Sequence, residues 1–147
     1  MSIIKEIYDV TKDLAGNKIA LNKIKKALLT EVKLNNKFLE EISDSEKRLS
    51  NERLIQIINN LEVSEMKAAI TCGLPIELIS NIKVDLELLK NLDHLKAFDN
   101  DLETVLEKTY LKIAYLKKDF NAENINLYIR VRNIYNYNQL LNRMLIK

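Results

Sequence analysis

The stretch ENINLYIRVRNIYNYNQLLNRMLIK, residues 123–147, decides the reading of the whole chain. Set on a wheel at 3.6 residues per turn, Leu127, Tyr128, Val131, Ile134, Tyr135, Leu141 and Leu145 make one wide apolar face. Ile125, Ile129 and Leu140 make a second, narrower one. A helix that is apolar on two sides has neighbours on two sides, which predicts the central member of a helical bundle. Between the two faces Arg132, Asn136, Gln139 and Arg143 recur at four, three and four residues, the spacing of one polar row.

Working outward, the preceding helix opens near Asp99 as the expected cap, and its Leu102, Leu106, Thr109, Ile113, Leu116 and Phe120 form a regular seam. Leu111, Ala114 and Tyr115 lie opposite that seam and offer a second patch. Asn121-Ala122 reads as the turn of an antiparallel helical hairpin. Nearer the start, residues 17–43 carry Leu21, Ile24, Leu28, Val32, Leu39 and Ile42 on one stripe, with Asn35 where another apolar residue belongs. An amide in that position needs a hydrogen-bond partner on a neighbouring element.

The first helix is expected from Ser2, its cap, to about Leu14, with Ile3, Ile7, Val10 and Leu14 inward and Gly16 as its left-handed stop. Ser50 or Asn51 opens a helix with Leu54, Ile55, Ile58 and Leu61 as core. Between residues 63 and 98 the pattern shortens. Ser64 is expected to cap a brief helix ended by Cys72-Gly73, and Pro75 opens another short piece.

Composition agrees with this pattern. Of 147 residues 47% are hydrophobic and 30% charged, a globular balance, and only 2 Gly and 1 Pro are available to make the turns that hairpins need. The sequence therefore predicts an all-α fold: one domain over residues 1–147, an up-and-down bundle of four to six helices with a broken region near 63–98.

Charge and chemistry constrain function mostly by exclusion. A net charge of +2 falls short of the strongly basic balance of nucleic-acid-binding domains. It is unevenly spread: six Lys against Glu31 between Lys18 and Lys37 give +5, and seven acids against Lys90 and Lys96 between Asp85 and Glu107 give −5. With one Cys and one His the chain has no internal disulfide, no metal cluster and no assembled Cys-His pair, so Cys72 reads as a packed hydrophobe and His94 as an ordinary imidazole. Phosphate-cradling Gly-rich loops are absent, and no window nears the ~20 apolar residues of a membrane span. A cytoplasmic location follows as the expectation. So does the absence of catalytic, cofactor-binding or metal residues.

Within the last helix, Arg132-Asn133-Ile134-Tyr135-Asn136-Tyr137 resembles the signature of the HEPN family of all-helical ribonucleases and nucleotide-binding proteins. In that signature an Arg followed by a polar residue precedes a His by four to six intervening positions. Arg132 and Asn133 match, and Tyr137 stands in the place of the His. The resemblance implies an RNA-associated protein without the group that performs acid-base work at neutral pH, since a Tyr titrates near 10. The main expectation is a non-enzymatic interaction or regulatory module that holds a protein partner or a second copy of itself. Its expected surface comprises Leu111, Tyr115, Arg132, Asn136, Tyr137 and Arg143. An effector that touches a membrane surface through its first helix is a further alternative.

Overall fold

A computed structural model of the chain describes residues 2–44, 48–92, 95–119 and 126–147. These fold into six α-helices: α1 (Ile3–Val10), α2 (Lys18–Asp44), α3 (Asn51–Asn60), α4 (Ser64–Thr71), α5 (Leu102–Asp119) and α6 (Leu127–Ile146). A 3-10 turn at Ile76–Leu78 follows Pro75, and among the described residues the only strand-like pairing is an isolated bridge between Lys83 and Asp101. The all-α bundle and its broken middle are as expected. His94, Phe120, Asn121-Ala122 and Ile125 lie outside the described residues.

The centre is where the sequence placed it. α6 packs against α2, α5 and α3. Leu127, Val131, Ile134, Leu141 and Leu145 are buried along its wide face; Leu140 of the narrower face is buried as well, and so is Met144. The α2 stripe of Ile24, Leu28, Val32, Leu39 and Ile42 and the α5 seam of Leu102, Leu106, Thr109, Ile113 and Leu116 are buried with them in one core. Asn35 is fully buried and its amide is satisfied twice: Nδ2 donates to the Glu62 carbonyl at 2.7 Å, and Oδ1 accepts the Glu62 N–H at 2.8 Å. One side chain of α2 thus imitates a strand neighbour for the backbone leaving α3.

Several local expectations are corrected by tertiary structure. α1 stops at Val10 instead of near Leu14, because Asp13 takes the Gly16 N–H on its Oδ1 and Asn17 takes the Ala20 N–H at the start of α2. The left-handed glycine is Gly73, with φ 68°, where the N–H groups of Gly73 and Leu74 close a Schellman motif on Ile70 and Ala69. Ile4, not Ile3 or Val10, is the buried anchor of α1. Ser64 does not cap α4. Its hydroxyl donates to Glu31, whose carboxylate reaches from α2 to accept the N–H groups of Glu65 and Met66, both at 2.9 Å. Asp99 has φ 68° and so cannot serve as an N-cap; Asp101 accepts the Thr104 N–H at 2.8 Å and opens α5.

Candidate functional site

α5 turns its buried row inward and so presents Leu111 and Tyr115 on the opposite side. α6 does the same with Ile129, roughly 200° round the helix from the buried Leu127. Because the two helices are neighbours, these exposed side chains meet across one groove of about 530 Å³. Leu116 and Ile134 are buried in its floor, and Lys112, Arg130 and Asn133 complete the lining. Leu111 is 53% exposed, Tyr115 49% and Ile129 52%, a concentration of large apolar surface that folding has left uncovered.

The electrostatics of the groove are one-sided, with two cations and no carboxylate among the lining residues. The Lys112 ammonium lies 5.1 Å from the centroid of the Tyr137 ring, so the cation is held at the groove edge by the aromatic face. Burial pushes the Tyr137 phenol above its ordinary value, which removes it further from acid-base work at neutral pH. Beyond Tyr115 its hydroxyl donates to Asp119 Oδ2 at 3.3 Å. The arrangement holds no nucleophile paired with a base. Its surface is apolar with positive charge at the edge.

The structure divides the other residues expected at this surface. Asn136 and Tyr137 are buried, so they are not available on the surface. Arg132 is exposed, and Tyr137 stands five positions further on, roughly 140° round the helix, so the two elements of the HEPN-like signature do not share a face. Arg143 donates through Nη1 to the carbonyls of Leu88 and Lys90 at 2.8 and 2.7 Å, fastening the 86–91 turn to α6. Gln139 reaches Asn36 of α2 at 3.1 Å. The polar row is therefore mostly internal joinery. Lys112 and Arg130 were missed in the sequence because each stands among ordinary surface charges. Their adjacency to the two apolar patches was the available signal.

A second apolar surface lies over α1 and α2. Val10 is 79% exposed and Ile19 71%, and both line a shallow depression that also includes Lys23. Glu31 and Glu65, farther along the same surface, are committed to structure: Glu65 accepts the N–H groups of Ile3 and Ile4 at 2.7 and 3.0 Å and so caps α1. Cys72 is half-buried, and among the described residues no cluster of His, Cys, Asp or Glu could hold a metal ion. None of the described helices is long and apolar enough to cross a membrane. No protein-family model, curated protein or solved structure matches the chain.

Proposed function

We propose that the chain is a non-enzymatic protein-interaction module and that the α5/α6 groove is its contact surface. The observation that supports this reading is the meeting of Leu111, Tyr115 and Ile129, each about half exposed, over an apolar floor with only cations on the rim. A helix offering two apolar side chains a turn apart with an acid beside them has the shape and charge to fill it. Aromatic and aliphatic anchors in a concave setting are what concentrates binding energy at interfaces.

The test is a photo-cross-linking amino acid at position 111, in cells that make the protein. Discrete protein adducts are expected, lost when Ile129→Asp is added and not reproduced by the same group at Glu52, an exposed position on α3. Absence of adducts, or the same adducts from both positions, overturns the reading.

Contact with an anionic membrane surface is a second reading, favoured by the exposure of Val10 and Ile19 beside Lys23. It requires the protein to sediment with phosphatidylserine vesicles and Val10→Asp with Ile19→Asp to abolish this. Equal sedimentation of the variant removes it.

A further inference from the structure

We infer that the occupant of the α5/α6 surface is a second copy of this chain, its α5 lying antiparallel to the first across a two-fold axis at the level of Ile113. The inference rests on the reading of that surface as an interaction site. What singles out a second copy is the charge order on α5 around the exposed pair. One turn before Leu111 come Glu107 and Lys108, and one turn after Tyr115 come Lys118 and Asp119, so the signs run minus, plus and then plus, minus. On the helix wheel Leu111 and Tyr115 occupy the middle of the exposed ridge, with Glu107 and Lys118 along one flank and Lys108 and Asp119 along the other. Among the described residues none of these four charges has an ion-pair partner.

A two-fold axis perpendicular to the helix reverses its direction and leaves each flank facing the same flank of the copy. Glu107 then meets Lys118 of the second copy and Lys108 meets its Asp119, each pair occurring twice. Leu111 packs on Tyr115 of the copy at the same register. All three correspondences centre within one residue of Ile113, which is what closure of a symmetric contact demands. Direction is set by the helix dipoles, which oppose each other in an antiparallel pair and reinforce each other end to end in a parallel one. A single helix pair with Ile129 at its edge is a small interface, so association is concentration-dependent.

Light scattering after size exclusion and sedimentation equilibrium, over a range of concentrations at moderate salt, should give a reversible dimer. Leu111→Asp should be monomeric with unchanged helicity. Glu107→Lys alone and Lys118→Glu alone should each weaken the dimer about tenfold, because each replaces two attractions by two repulsions. The double variant Glu107→Lys with Lys118→Glu should recover the wild-type dissociation constant. Both sites are exposed, so folding is retained. A double variant weaker than either single overturns the antiparallel arrangement, since a parallel pair would place position 107 beside Lys108 of the copy. A strictly monomeric chain overturns the second copy as occupant. The interaction reading then stands or falls on the position-111 cross-links, which would contain a different protein or nothing.

Discussion

At the scale of single residues, the fold is fixed by buried polar groups that reach backbone far away in sequence. Asn35→Leu would leave the N–H and carbonyl of Glu62 without their partner and should lower stability by about 2 kcal/mol, read as a lower urea midpoint. Glu31 carries a pH signature. Desolvation raises its carboxyl above 4.5 despite the N–H donors of Glu65 and Met66 and the Ser64 hydroxyl, so the folded chain holds this proton more tightly than the unfolded chain. Its contribution is therefore greatest in acid and declines as pH rises from about 4.5 through the raised value. The unfolding free energy of wild type minus that of Glu31→Gln should fall with pH across that window and level off above it. A difference that grows with pH would refute the assignment. Asn35 was legible in the sequence because it interrupts an apolar stripe. Glu31 was not, since a lone acid among six lysines reads as a surface residue until α4 is seen to begin beneath it.

Among the elements, α1 is joined to the rest by the least. Ile4 is its only fully buried side chain, and its N-terminus is held by the carboxylate of Glu65, itself on a helix capped by Glu31. α2 thereby holds α4, and α4 holds α1. Glu65→Ala should release α1 selectively, with faster hydrogen exchange at the Ile7 and Tyr8 amides and unchanged protection in α2 and α6. Uniformly faster exchange would mean that α1 and the core open together. Seven-residue rows made α2, α5 and α6 readable, because burial against neighbours imposes that period. The starts of α4 and α5 were not readable, because two Ser/Asp choices of equal local propensity were decided by a long-range carboxylate and by a left-handed Asp99. The groove was half legible. Each helix showed its spare apolar face, and only their adjacency revealed that Leu111, Tyr115 and Ile129 form one surface.

For the whole molecule, one apolar core runs from Ile4 to Leu145 and includes buried residues of every α-helix. No helix owns a separate core, so no helix can leave the bundle without exposing side chains of another, and α1, with one fully buried side chain, exposes least. Unfolding should therefore be a single transition. The chain contains six Tyr and no Trp, which makes tyrosine fluorescence a report on packing around α5 and α6, where five of the six reside, while circular dichroism reports on all helices. The two signals should trace coincident urea curves in wild type. Leu28 is fully buried on α2 and distant in sequence from those tyrosines. Leu28→Ala should remove about 2–5 kcal/mol and move both curves equally. If the fluorescence curve stayed in place while the helical signal shifted, α5 and α6 would form a unit independent of α2, contrary to the Asn138 amide of α6 that donates to the Val32 carbonyl at 3.0 Å and ties the two. Coincidence would show that the two helices of the groove unfold with α2 and the rest of the bundle as one cooperative unit.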